Sequence, residues 1–548
     1  MGLVFEVAAP LASAGRHRAD VACFIGHVAR RPGQPLPDAL RAQLDAAGWT
    51  RGPWGRSASQ VESLLNLPLV IDSWHLFDRL YAWDQRPVDG LGNGNSNENG
   101  NGNGRSPRRC ATLLGAAVRS FFAHGGRRAV VLRVGEPWPV VEEPGRRAVL
   151  RRQRLRRLLP DFADIAAPNA PFEPHNPAAW QGIHHLYGLR ETSLLLLPDL
   201  PDACAADTLP APAALPPLLP PETFVECSVE SVSALDLGLR RLAAPRLDAR
   251  GYAAWQLAVS AARGFLQRWQ PEVNLVAALP LPHDDAVRVQ GTGRLHAQAD
   301  MPGFLRRIGV LLPEGSAQPV ADTGSSAFVQ LAWPWLRCQD ADDLPQGLAS
   351  PDGVLAGLIA GTALQRGTFR SAAGDASLAA LRDVADAEPV PAWGGSDSSP
   401  VARLARRVCV IAPGADGWAL QSDVTTSPQA AWRFGGASRL MGLLLRASRR
   451  IGESLAFEPS GPVLWARARG AVEDLLIGFW REGALTGATA QQAFSVQCDR
   501  ATMTQADLDA GRLIVRVSVR PAAAIERITV VLNLGNPADA HGLVRAAA

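Results

Sequence analysis

The sequence predicts an α/β layered protein. Three observations carry that reading. Short, continuous apolar runs bounded by turn residues recur through the first two thirds, as strands buried on both faces require. Amphipathic helical stretches alternate with them, and the last third holds two long periodic helices followed by an alternating strand. With 548 residues, 47% of them apolar, the chain has ample material for packed cores.

Taken in order, Leu3, Val4, Phe5 and Val7 form a short apolar patch that needs a sheet to join. Cys23 to Val28 reads as a buried strand, and Leu67 to Ile71 as a second. Asp72 or Ser73 can cap a helix running through Phe77 and Leu80. The stretch Gly92 to Gly104 is almost purely Gly and Asn and is expected to be a flexible surface loop. It is not a phosphate loop, because no strand leads into it and no Gly-Lys-Ser/Thr follows. Leu113 to Phe122 has helical spacing, His124-Gly125-Gly126 stops it, and Ala129 to Val134 follows as a strand. Seven arginines lie between Arg146 and Arg157 with no aromatic interleaved for base stacking, which predicts a solvated or subunit-facing helix.

Leu194 to Asp199 is a buried strand ending in a turn, and the seven prolines from Pro201 to Pro221 mark a loop or subdomain edge. Tyr252 to Trp269 reads as an amphipathic helix. Ser438 to Leu455 is a helix with Leu440, Leu443, Leu444 and Ile451 on its apolar face and Arg439, Arg446, Arg449 and Arg450 on its polar one. Val463 to Trp480 is another, striped by Leu464, Ala468, Val472, Leu475 and Phe479. Arg512 to Arg520 alternates as a strand, and Ile528, Val530, Leu532 and Leu534 form a further apolar face.

Composition narrows the function. All 55 basic residues are arginine, and 52 acids nearly balance them, so bulk nucleic acid is not an implied partner. Seven dispersed cysteines with no CxxC pair argue against a disulfide framework or a zinc module, and for synthesis in a reducing compartment. The first twenty residues make a poor signal peptide, and no apolar run reaches the ~18 residues that span a bilayer.

The sharpest enzymatic string is Asp322-Thr323-Gly324-Ser325-Ser326, which surrounds the catalytic Asp of pepsin-like proteases. That chemistry needs two carboxylates sharing a proton, and no second copy exists, so a polar turn before a strand from Ala327 to Leu331 is expected instead. His184-His185 point in different directions, His283-Asp284-Asp285 reads as a wet loop, His124 as a helix-end cap, and no Gly-x-Ser-x-Gly anchors a hydrolase triad. The sequence therefore predicts no catalytic, cofactor-binding or metal residues.

Read together, the motifs resemble those of contractile tail sheath proteins, the family of myophage tails, R-type pyocins and phage-like contractile injection systems. The carboxy-terminal text is Arg439-Leu440, then Ile451 to Pro459 ending in Phe457-Glu458-Pro459, then Leu464-Trp465. It continues with Phe479 to Gly487 through Trp480 and Gly483, Ala493 to Asp499 through Phe494, and Asp507 to Leu513. Upstream, Phe24-Ile25-Gly26, Ser120 to Gly126 with Phe122, Gly125 and Gly126, Val131 to Val134, Trp333 to Leu336 and Ser350 to Gly353 with Ala356-Gly357 are similar to the family's earlier motifs. The resemblance runs discontinuously from about residue 20 to 535. Trp333 replaces the family's usual Tyr, and residues 376 to 437 match poorly, which marks a divergent member.

The resemblance implies a non-enzymatic structural subunit without cofactors. It polymerises helically around an inner tube and contracts to drive that tube through a target envelope. Implied partners are further copies of itself and paralogous sheath subunits, the inner tube, and baseplate and terminator or cap proteins, with neither nucleic acid nor membrane insertion. Assembly in a bacterial cytoplasm and a later place in a phage tail or tail-like particle are expected.

The expected division is an amino-terminal arm (1–22), an outer region (23–325) and a conserved assembly domain with a terminal arm (326–548). Leu3, Val4, Phe5 and Val7, with Ile528, Val530, Leu532 and Leu534, are the candidate arm strands that add to neighbouring subunits' sheets. Arg439, Arg446, Arg449 and Arg450 are the candidate tube-facing residues. The rival readings are a non-contractile cap or adaptor and, remotely, an aspartic protease at Asp322.

Overall fold

A computed structural model describes residues 19–51, 54–89, 109–162, 172–207, 239–240, 242–283, 301–313, 325–338, 341–374, 378, 381–385, 400–414, 417–509 and 512–522. Eight strands form one central sheet: β1 (Ala22–His27), β2 (Leu69–Ile71), β3 (Ala129–Gly135), β4 (Leu194–Leu196), β5 (Asn274–Ala278), β6 (Val329–Trp333), β7 (Cys409–Gly414) and β8 (Gly417–Leu420). Their spatial order is β8-β7-β6-β5-β4-β1-β3-β2. The six inner strands are parallel, and the short edge strands β2 and β8 run antiparallel to β3 and β7. In register, Cys23 lies between Val130 and Leu195.

Each inner strand is apolar on both faces because helices cover both. Phe24, Leu196 and Val276 meet α1 (Leu113–Ala123) and α4 (Asp352–Gln365) on one side. Cys23, Ile25, Leu195 and Leu275 meet α2 (Arg146–Leu158) and α3 (Ala249–Trp269) on the other. Caps fix several starts: Ser73 Oγ accepts from Leu76 N, Thr112 Oγ1 from Gly115 N and Asp248 Oδ1 from Gly251 N.

Helices α1 and α4 touch backbone to backbone. A Cβ on Gly357 would lie 2.7 Å from the Phe121 carbonyl oxygen, and Gly125 takes a φ of +109° to end α1 against Gly361. The double-glycine turn of the sequence is thus both a helix stop and a contact surface. Phe122 is half-buried beside it, and Gly126 leaves room for the Phe121 ring.

Strands β5 and β6, which flank residue 325 in sequence, are hydrogen-bonded neighbours in the one sheet. Two expectations change. The strand expected from Ala327 to Leu331 runs from Val329 to Trp333. The arginine-rich helix α2 is solvated on one side only: Arg147 and Arg154 are buried, ion-paired to Asp202 and Glu142. Gly92 to Gly104 lies outside the described residues.

Candidate functional site

The carboxy-terminal unit stands apart from the sheet cores. Helix α5 (Gly435–Ser454) and helix α6 (Pro462–Arg481) pair over the antiparallel hairpin of β9 (Phe494–Gln497) and β10 (Arg516–Val519). Their shared core joins Leu440, Leu443 and Leu444 of α5 to Val472, Leu476 and Phe479 of α6, with Val515 and Val519 beneath. The expected strand from Arg512 begins only at Arg516, where pairing with β9 starts.

Both ends of the described chain converge here. Ala19 packs into this core, and the Ala522 amide donates to the Ala484 carbonyl at 2.9 Å. The candidate arm residues Leu3, Val4, Phe5, Val7, Ile528, Val530, Leu532 and Leu534 lie outside the described residues. A two-stranded sheet is marginal by itself; β9 alternates between half-buried and exposed, and β10 is exposed except at Val519.

The motif residues fall at the joints of this unit. Gly483 ends α6 with a φ of +79°, and Trp480 Nε1 donates to the Gly487 carbonyl at 3.0 Å, pinning the exit turn. Trp465 Nε1 donates to Ser460 Oγ at 3.3 Å, and Glu458 pairs with Arg467 across the α5–α6 turn. Pro459 is exposed in that turn, next to a fully exposed Phe457, and Phe494 half-buries its ring in the core.

The candidate tube-facing arginines need correction. Arg439 and Arg446 are 5% and 4% exposed and point into the chain itself. Arg439 forks onto Asp423, Nη1 to Oδ1 at 2.9 Å and Nη2 to Oδ2 at 2.6 Å. Burial pushes the Asp423 carboxyl upward, but the guanidinium outweighs it and holds that carboxyl below its ordinary value. Arg446 Nη2 donates to the Thr192 carbonyl at 2.6 Å, and burial brings its guanidinium down to about 10. Arg449, half-exposed, pairs with the buried Glu272, and Arg450 is of intermediate exposure. The polar face that the pattern assigned to outside contacts is the one that meets the α/β body.

An open parallel sheet places ligands at the carboxyl ends of its strands where the winding reverses. That point lies between β1 and β4, and it holds a buried charge network. The His27 amide donates to Asp199 Oδ2 at 2.5 Å. Asp202 sits between Arg86 and Arg147, at 2.5 and 3.0 Å. Burial raises Asp202, yet the two guanidiniums bring it down to about 2.

Asp352, at the start of α4, is the exception. Burial pushes its carboxyl up to about 6, with Ser350 Oγ and the Gly353 amide on one oxygen and no hydrogen-bond partner on Oδ2 among the described residues. A carboxyl raised in the folded state contributes stability that is complete below its unfolded value and lost as pH rises through about 6. The difference in unfolding free energy between Asp352→Asn and the wild type is therefore expected to move by up to about 3 kcal/mol in the variant's favour from pH 4 to pH 7. Urea denaturation across that range checks it, and a pH-independent difference contradicts it.

The other sequence candidates resolve into local structure. Asp322, Thr323 and Gly324 lie outside the described residues, and Ser325 Oγ accepts from Leu312 N and donates to the Val310 carbonyl. His184 Nε2 meets Asp161 at 3.0 Å. Both nitrogens of His185 face carbonyl oxygens, of Gly182 and Asn66, and burial drives its pKa down to about 4. His185 also borders a cavity of about 350 Å³ walled by Trp49, Trp54 and Trp180. Among the described residues no three His, Cys, Asp or Glu side chains are grouped to hold a metal, and no helix is long and apolar enough to cross a membrane.

No family model and no curated protein matches the chain. Among solved structures, a chain of the contracted baseplate of the anti-feeding prophage (AFP) superimposes with a TM-score of 0.53. The two are 18% identical, and the match covers 97% of this chain and 99% of that one. The protein has the AFP-type fold. Chains of the contracted AFP helical sheath (TM-score 0.49, 17% identity, covering 97% and 99%) and of the contracted PVC sheath complex, an extracellular contractile injection system (0.46, 15%, 98% and 97%), are similar at lower scores. The AFP-type fold thus spans the α/β body and the carboxy-terminal unit together, without leaving one of them over as an unrelated addition.

Proposed function

We propose that the chain is a subunit of a contractile tail sheath, polymerising helically around an inner tube and shortening to drive that tube through a target envelope. The observation that carries this reading is the end-to-end match of the fold to a chain from a contracted particle. The ordered series of sheath-like motifs from Phe24 to Leu513 supports it independently. Its partners are then copies of itself, the tube, and baseplate and cap proteins, and its role is structural rather than catalytic.

Identical subunits joined by heterologous contacts that do not close generate a helix. Terminal arms that add strands to a neighbour's hairpin supply such contacts through backbone hydrogen bonds. Strand addition tolerates rotation of one subunit against the next, because side-chain contacts can be remade while the backbone linkage persists. Ala19 and Ala522 leave the described structure beside β9 and β10, which suits that role.

The purified chain, concentrated with a candidate inner-tube protein from the same genome, is expected to form hollow helical cylinders by negative-stain microscopy. Cylinders of two lengths, long before and short after mild denaturant, are the expected sign of contraction. A chain that stays monomeric in this mixture, or cylinders of one fixed length, would overturn polymerisation or contraction respectively.

A further inference from the structure

Helix α5 has a second contact face. Gly435, Arg439, Gly442, Arg446, Arg449 and Glu453 recur at alternating steps of four and three, the spacing of a single helical stripe. All six meet the α/β body. Gly435 lies against Asp423 and Gln330, and its amide donates to the Asp423 carbonyl at 3.0 Å. A Cβ on Gly442 would stand 2.8 Å from the Glu272 carbonyl oxygen. Arg446 bonds the carbonyls of Thr192 and Glu272, Arg449 pairs with the Glu272 carboxylate, and Glu453 takes Arg190 at 2.8 Å. Ser438, beside the stripe, donates to the Ala327 carbonyl at 2.6 Å. The acceptors Thr192, Glu272 and Ala327 each lie two residues before the first residue of β4, β5 and β6, so the helix is pinned across the amino ends of three adjacent strands.

A stripe with this spacing on a packed helix is ordinarily apolar. Apolar contact is non-directional, so surfaces joined by it can slide at little cost. Forked guanidinium bonds to fixed carbonyls are directional and weaken steeply when misaligned. The glycines bring the helix axis close enough for the arginines to reach past it. The leucine face of α5 meanwhile stays with α6, in a core separate from those of the sheet.

We propose that the Gly/Arg stripe is a shear-resistant joint that makes the arm-bearing unit and the α/β body move as one piece. A pull on the arms then reaches the α/β body undiminished. The inference rests on the sheath reading for its purpose, but the joint itself is a property of the single chain.

The test is a distance distribution between two spin labels on the full chain, one at Val149→Cys on α2 and one at Ala466→Cys on α6, both exposed. Cys227 and Cys338 are replaced by serine; Cys23, Cys110, Cys204, Cys409 and Cys498 are buried. The parent chain is expected to give one narrow distribution. Arg446→Met with Arg449→Met should broaden it at least about twofold while circular dichroism is unchanged, and Arg446→Lys with Arg449→Lys should recover part of the narrowing. If the double Met chain fails to fold, Arg449→Met alone supplies the comparison, its side chain being half-exposed. An unchanged width in the folded Met variant overturns the joint. A parent chain that is narrow but never polymerises overturns the sheath reading and leaves the joint standing.

Discussion

Replacing Arg439 by alanine is expected to lower the unfolding free energy by about 3–5 kcal/mol, the cost of leaving one partner of a buried ion pair behind. Asp423 is wholly enclosed: besides the two Arg439 bonds, it accepts from Gln330 Nε2 and from the Ala372 amide, each at 2.8 Å. Neither of those neutral donors supplies the missing charge. The carbonyls of Thr368 and Arg370 lose a donor at the same time. Adding Asp423→Asn should restore part of the loss, because it removes the stranded charge. A depressed carboxyl contributes stability that is full above its unfolded value, near pH 4, and lost as pH falls through its folded value. The gap between wild type and Arg439→Ala should accordingly close in acid. Urea denaturation of the three chains at neutral and acid pH measures this. A loss under about 1 kcal/mol at neutral pH would show the pair to be as weak as a surface one.

Removing residues 1–7 is expected to leave a folded monomer that does not polymerise. The described part of the chain begins at Ala19, which packs into the core shared by α5 and α6. A strand of four or five residues added to a neighbour contributes about 3–5 backbone hydrogen bonds at roughly 1 kcal/mol each, or roughly 100-fold to 4,000-fold in association. Helical growth multiplies that deficit at every joint. Circular dichroism should match the full chain, while sedimentation and negative stain should show monomers. Normal cylinders from the shortened chain would remove the strand-exchange role from Leu3, Val4, Phe5 and Val7.

The individual strands were legible because burial on both faces leaves a plain apolar run, as in Cys23 to Val28 and Leu194 to Leu197. Their order was not. Cys23 pairs with Leu195, and no local rule joins residues so far apart in sequence. The pairing of β5 with β6 across residue 325 is equally invisible to local pattern, because a long connection separates the two strands.

The arginine helix is the more instructive miss. Amphipathicity assigns Arg439 and Arg446 to water because charge is usually solvated. The contrary signal was present in Gly435 and Gly442, seven apart and interleaved with the arginines. Exposed helix positions have no use for glycine, whereas a helix pressed onto a backbone does. The motif residues Trp465, Trp480 and Gly483 sit at the two ends of α6, and the bonds of the two tryptophans to Ser460 and Gly487 belong to turn geometry that no spacing encodes.

The flanks of the large sheet carry a consequence for how such a particle grows. Its outermost strands, β2 and β8, are three and four residues long and antiparallel to their neighbours, so they offer little backbone for another chain to extend. Under the arm exchange proposed above, growth would run through the small β9–β10 sheet, beside which Ala19 and Ala522 lie, and not through the large one. Subunits would then be linked end to end without branching through their large sheets.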